Sequence, residues 1–310
     1  MQPIRRQIVV DGLSLSFLEQ GTAAPGKPTY VLLHGLMGCA DTFRPLLAEL
    51  PPDQHIVALD FPGAGESERR EGLDATLRAT SQTVRNVLAE LNIQQACVIG
   101  HSHGGTVALT LAQAAPGRVG SLVLLAPAHP YFNEGDPLIR FYLTLPGRLF
   151  AYSLPWFPKW MQMIGLRRMA GPRNIDTSER LRPYRDNLRT PGTIRHLLRL
   201  LRSWHQDMKG LQRSLSGGVR QPTLILWGDS DRAVPHTSAA PLRKHFASSQ
   251  LRILPGIGHR PAEECPESIA QHLSAFLDRL PTLDLDYSPN VPASHSRIVS
   301  LMTPSFDVGD

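Results

Sequence analysis

The chain has 310 residues and a mass of 34.2 kDa, is 42% hydrophobic and 19% charged, and carries a formal charge of +5 with a pI near 9.4. That length accommodates one large α/β domain with a sizeable insertion, and that composition excludes wholesale disorder. The basic excess is almost all arginine and includes no Lys/Arg block interleaved with stacking aromatics, so nucleic acid is not an expected partner.

Taken in order, Arg6–Val10 and Leu13–Leu18 read as two strands joined by the tight-turn pair Asp11-Gly12. Tyr30–Leu33 is a fully apolar run that empties into His34-Gly35-Leu36-Met37-Gly38, the pattern of a buried parallel strand with a working carboxyl end. Asp41 is placed to cap the following helix, whose apolar positions are Phe43, Leu46, Leu47 and Leu50. Ile56–Leu59 forms the next strand. The glycine-rich segment 60–67 after it lacks the Lys-Ser/Thr of a phosphate loop and is read as structural. Leu77, Val84, Leu88 and Leu91 mark a long helix.

Ala96–Ile99 is too short for a helix and leads into Gly100-His101-Ser102-His103-Gly104, after which Val107, Ala108, Leu111 and Ala112 recur at helical spacing. A strand thus enters a helix through a turn that needs glycine on both sides of a serine. Such a turn lifts the hydroxyl clear of the sheet and aims the first helical N–H groups at whatever the serine attacks. Leu122–Leu125 is a further buried strand. From Pro127 to Val219 the alternation gives way to helical and irregular segments, with aromatics crowding 141–160 and Arg195, Arg199 and Arg202 opposite a leucine face. The mix of aromatics and basic residues from Phe141 to Trp160 suits a roof over an apolar pocket, a packed face, or contact with a membrane surface. The sheet resumes at Thr223–Gly228, followed by a helix around 237–247, a strand at Leu251–Leu254 and a helix carrying Ile269, Leu273, Phe276 and Leu277. Residues 281–310 lack periodicity and read as a tail, with an apolar patch at 298–302 suited to docking.

A serine hydroxyl becomes a useful nucleophile only when a base takes its proton, and a carboxylate that fixes the base's tautomer improves it. The loops after the last two strands hold Asp229-Ser230-Asp231 and Gly256-Ile257-Gly258-His259. Ser102, Asp231 and His259 follow the serine–acid–histidine order associated with the serine elbow. Asp229 competes for the acid role, as do Glu134 and Asp136 in the loop after Leu122–Leu125. His101 and His103 lie too close to Ser102 along the chain to act on its hydroxyl and are assigned to packing or pocket lining. His34 is expected to stabilise its own loop. The remaining histidines have no ligand spacing, and neither a metal nor a cofactor is expected.

Together His34-Gly35, the segment 60–67, the elbow around Ser102, Gly228–Asp231 and Gly256–His259 resemble the α/β-hydrolase superfamily across residues 5–280. The resemblance implies a mostly parallel eight-stranded sheet with helices on both faces. It also implies a core made of residues 1–127 and 220–280, a helical cap over 128–219 inserted after the sixth strand, and a tail over 281–310. It favours Asp231, three residues after Gly228, as the acid, and makes the backbone N–H groups of Leu36 and His103 the oxyanion donors. The expected activity is hydrolysis of carboxylic esters of lipophilic acyl or aromatic substrates through an acyl-enzyme. The alternatives are a carbon–carbon bond hydrolase of aromatic degradation, an acyltransferase, and a non-catalytic ligand receptor. An aspartate at the elbow would indicate haloalkane dehalogenases or epoxide hydrolases; Ser102 argues against both. Arg260 stands where the carbon–carbon hydrolases commonly carry Trp. Three scattered cysteines, an N-terminus without an apolar leader and the lack of any span-length apolar window lead to the expectation of a cytoplasmic protein.

Overall fold

A computed structural model describes residues 2–132, 137–167, 169–172, 179–280 and 299–300. The strands β1 (Ile4–Val10), β2 (Leu13–Gln20), β3 (Tyr30–Leu33), β4 (Ile56–Leu59), β5 (Ala96–His101), β6 (Val119–Leu125), β7 (Thr223–Gly228) and β8 (Ser249–Leu254) form one sheet. A two-residue edge strand, β9 (Val299–Ser300), completes the order β8-β7-β6-β5-β3-β4-β2-β1-β9. Strands β3 to β8 pair in parallel; β2 joins β4, and β1 joins β2 and β9, antiparallel. The sheet is therefore the expected eight strands plus one short addition, which the chain beyond residue 280 supplies by pairing Ser300 with Arg6 and Val299 with Gln7. The other residues expected in the tail lie outside the described ones, as do Glu134 and Asp136.

Alternation along the strands builds two cores, because successive side chains leave a strand on opposite faces. Val31, Leu33, Val98, Leu122, Leu124, Ile225 and Trp227 pack on one face with α2 (Leu77–Glu90) and α3 (His103–Ala114). Leu32, Cys97, Ile99, Val123, Leu125, Leu224 and Leu226 pack on the other, against residues of α1 (Arg44–Glu49) and of a late helix, Pro266–Leu277. Burial on both faces explains why these strands read as unbroken apolar runs.

Between β6 and β7 run α4 (Pro137–Leu143), α5 (Leu145–Ser153), α6 (Lys159–Arg167), α7 (Arg182–Arg189) and α8 (Thr193–Leu215). Then follow α9 (Ala239–Arg243), between β7 and β8, and α10 (Pro261–Glu264) and α11 (Pro266–Leu277), after β8.

Two local expectations change. Asp41 does not cap a helix; its carboxylate is drawn to Arg5 and Arg44, and the segment begins with a 3₁₀ turn over Ala40–Phe43 before α1. The helix expected around 237–247 shortens to α9, because the backbone at His245 and Ala247 turns to hydrogen-bond Val219.

In the parallel region the register aligns strand ends: Leu33 sits beside Leu59 and Gly100, Leu125 beside Leu226, and Gly228 beside Leu254. The loops that follow β3, β5, β7 and β8 consequently leave the sheet at one edge.

Candidate active site

Ser102 sits between β5 and α3 with φ +51° and ψ −116°. A non-glycine residue in that region costs on the order of 1–3 kcal/mol and persists only where its surroundings enforce it. Here they do: the Ser102 N–H donates to Leu125 O at 3.0 Å, and its carbonyl accepts from Gly105 and Ala128 at 2.9 and 3.0 Å. The flanking glycines have a steric reason. A Cβ on Gly104 would lie 2.0 Å from Leu33 O, and one on Gly100 would lie 2.5 Å from Gly104 O.

His259, in the loop after β8, places Nε2 2.9 Å from Ser102 Oγ. Its Nδ1–H donates to Asp231 Oδ2 at 2.8 Å, which leaves Nε2 as the acceptor for the serine hydroxyl. The second carboxylate oxygen of Asp231 accepts from the N–H groups of Ala233 and Val234 at 2.8 and 2.9 Å, so the acid is itself held in place. All three side chains are buried. Asp229, the competing acid, is turned elsewhere: its Oδ1 accepts from Ser230 Oγ and Gly256 N, both at 2.8 Å.

His103 opens α3, so its backbone N–H is one of the first-turn donors that a helix cannot satisfy internally. Leu36 lies in a tight turn closed by a hydrogen bond from Gly38 N to Gly35 O at 3.1 Å, and it lines the same cavity as Ser102. The His103 ring packs between Phe61 and Trp204, with centroids 6.0 and 5.9 Å away, and burial pushes its pKa down to about 3. His101 lines the cavity and donates from Nε2 to the carbonyl of His259 at 2.7 Å; burial, then the nearby His259, lowers its pKa to about 3. His34 accepts the Phe61 N–H at Nε2 and donates from Nδ1 to Gly35 O, tying down its loop.

Sequence reasoning missed the support beneath His259. The buried Glu264 carboxylate accepts N–H groups from Gly258, Arg260 and Gly171, at 2.8, 3.0 and 2.8 Å. Beside it Glu263 receives the Tyr184 hydroxyl and the Arg260 guanidinium, the latter at 3.1 Å. A usable signal existed: two acids open a helical turn directly after the histidine loop, where backbone N–H groups point outward and favour negative charge.

Above Ser102 lies a cavity of about 270 Å³ whose polar groups, His101, Ser102, His259 and Arg260, sit together, while leucines and Ile139, Tyr142, Ile194 and Trp204 supply an apolar lining. The arrangement offers a polarised hydroxyl, a base in the right tautomer and room for an apolar ligand. Among the described residues there is no cluster of His, Cys, Asp and Glu able to hold a metal ion, and no helix long and apolar enough to cross a membrane.

Residues 28–264 match the family model described as alpha/beta hydrolase fold. The chain is 28% identical to the uncharacterized hydrolase YugF of Bacillus subtilis (strain 168), covering 89% of this chain and 98% of that protein. It is 25% identical to the Homo sapiens monoacylglycerol lipase ABHD6, covering 82% and 76% respectively. Among solved structures it is similar to wild-type Cfl2 from Burkholderia cenocepacia, with a TM-score of 0.77 and 25% identity over 88% of this chain and 95% of that one.

Proposed function

Since the chain belongs to the α/β-hydrolase family, we propose that it is a serine esterase acting on carboxylic esters with lipophilic acyl or aromatic groups. One observation carries the reading: the continuous relay from Ser102 Oγ through His259 to Asp231, opening onto an apolar cavity. The similarity to a protein named a monoacylglycerol lipase agrees with it.

In the proposed reaction His259 Nε2 takes the hydroxyl proton as Ser102 Oγ attacks the ester carbonyl. The backbone N–H groups of Leu36 and His103 receive the developing oxyanion. Removing one such donor typically costs about 10²–10³ in rate. Asp231 steadies the imidazolium, which then hands its proton to the departing alcohol. Water, deprotonated by the same histidine, attacks the acyl-enzyme, and Ser102 regains its proton as the acid is released. Residues 128–219 act as a lid whose inner apolar side chains select the acyl group.

Hydrolysis of p-nitrophenyl butyrate and octanoate by wild type and by Ser102→Ala tests this. The variant should lose about 10⁶-fold in kcat, and a fluorophosphonate should label Ser102 in wild type only. Equal turnover by the two proteins removes the proposal.

A further inference from the structure

Helix α5 is amphipathic in reverse. Its inward residues are small: Gly147 is buried, and Ala151 is 4% exposed and faces the cavity above Ser102. Its large apolar residues point outward instead. Leu145, Leu149, Tyr152 and, in the following turn, Trp156 are 69, 64, 49 and 86% exposed. They recur at helical spacing and form one stripe. Trp160 and Ile164 on α6 extend the exposed apolar surface, and α6 is tied back by Gln162, which donates to Leu154 O at 2.9 Å. Water-facing apolar groups this concentrated mark an interaction surface.

Along the segment that carries the stripe the charge has a single sign. From Pro137 to Ile175 the chain contains no Asp or Glu but carries Arg140, Arg148, Lys159, Arg167, Arg168 and Arg173. Beside the stripe, Arg148 and Tyr152 of α5 face Arg195, Arg199 and Arg202 of α8 across a cleft of about 340 Å³. The Nε of Arg148 is buried with no hydrogen-bond partner among the described residues. Among the described residues Arg195 pairs only with Glu71, at 3.5 Å, a carboxylate that is itself 82% exposed. Among the described residues Arg148, Arg199 and Arg202 make no ion pair. Guanidinium groups converging this way suit the oxygens of a phosphate.

We propose that this face docks on a bilayer containing anionic phospholipid, with a lipid phosphate in the Arg148–Arg195–Arg199–Arg202 cleft and Leu145, Leu149 and Trp156 entering the interfacial layer. Charge complementarity selects an anionic surface, while the leucines and tryptophan supply the burial that a purely electrostatic contact lacks. The inner side of the same helix lines the cavity above Ser102, so docking sets the cavity roof against lipid. The proposal goes beyond esterase chemistry and is read without it.

Flotation of the full chain with phosphatidylcholine vesicles, with and without one quarter phosphatidylglycerol, tests it. Wild type should partition at least about tenfold more strongly to the anionic vesicles, less so at high salt. Arg148→Gln/Arg199→Gln/Arg202→Gln should weaken this by about fivefold per arginine, and Leu145→Ser/Leu149→Ser/Trp156→Ser by at least about tenfold. Circular dichroism checks that each variant keeps its fold, and Trp156→Ser alone gives the same readout with one surface change. Equal partition to the two vesicle types overturns the proposal, as does anionic-vesicle binding indifferent to both sets of substitutions. So does a concentration-dependent dimer, seen by sedimentation without vesicle binding, that the serine variant abolishes: the stripe then pairs two copies. Saturable binding of inorganic phosphate without flotation overturns it as well.

Discussion

Asp231 bonds the His259 ring, whereas Glu264 bonds the backbone of the residues before and after it. Asp231 fixes the imidazole tautomer; Asp231→Asn offers an amide at the same place and permits the wrong one, so the proposed esterase should lose about 10⁴ in kcat with little change in folding. Measuring ester turnover and thermal midpoint together separates that outcome from simple destabilisation. Glu264 instead holds backbone, with three N–H groups pointing at its carboxylate. Glu264→Gln keeps one acceptor but turns an amide N–H₂ toward those donors, which leaves buried groups unpaired. A loss of about 1–3 kcal/mol in denaturant unfolding is expected; unchanged stability would show that the loop holds His259 without it. The Ser102-centred elbow, the histidine loop and the acid-bearing loop 229–231 were legible in the sequence because each follows a short, strongly patterned strand. The Glu264 support left only the acid pair after the histidine loop as a sign, since its backbone donors at residues 171, 258 and 260 carry no side-chain signature.

At the level of elements, the elbow depends on how closely β3, β5 and α3 approach. The Gly104 Cα faces the end of β3 so tightly that a methyl group would sit 2.0 Å from Leu33 O, backbone that cannot move without disturbing the sheet centre. Gly104→Ala should therefore displace the start of α3, destabilise by about 3 kcal/mol and withdraw the His103 N–H from the site. Loss of stability by urea titration together with loss of activity is the expected pair; a fully stable variant contradicts the packing argument. The helices between β6 and β7 are likewise tied to the site edge through backbone. The Met169 carbonyl accepts the His259 N–H at 2.8 Å, and Asn187 Nδ2 donates to the carbonyls of Met37 and Gly38, both at 2.9 Å. These links explain how segments far apart in the chain share one rim.

Across the whole molecule, buried histidines set an acid limit on stability. Burial lowers His101, His103 and His129 to about 3, from an ordinary value near 6.5. Folded, they stay neutral; unfolded, they take up protons once pH falls below about 6.5. The unfolded chain then binds more protons than the native one, so stability is complete above that value and declines as pH drops from 6.5 toward 3. Each histidine contributes about 1.4 kcal/mol per pH unit over that range. Denaturant unfolding at pH 7, 6 and 5 should show the decline before most carboxylates titrate, and His103→Leu should make it shallower. A stability that stays flat from pH 7 to 5 would contradict the burial assigned to these rings.

The sequence by itself determined the alternation of buried strands and helices, the serine turn with its obligatory glycines, and the chain order of serine, acid and histidine. The first two are written in local periodicity and steric demand within a few residues, and the third follows from the loops in which the patterned strands end. Only the tertiary structure decided that Asp231 rather than Asp229 faces His259, that Glu264 braces the histidine loop, and that α5 turns its leucines outward beside an arginine cleft. Those outcomes rest on strand register and on contacts such as Asp231 with His259, 28 positions apart, and Gly171 with Glu264, 93 positions apart, where chain spacing carries no information about distance.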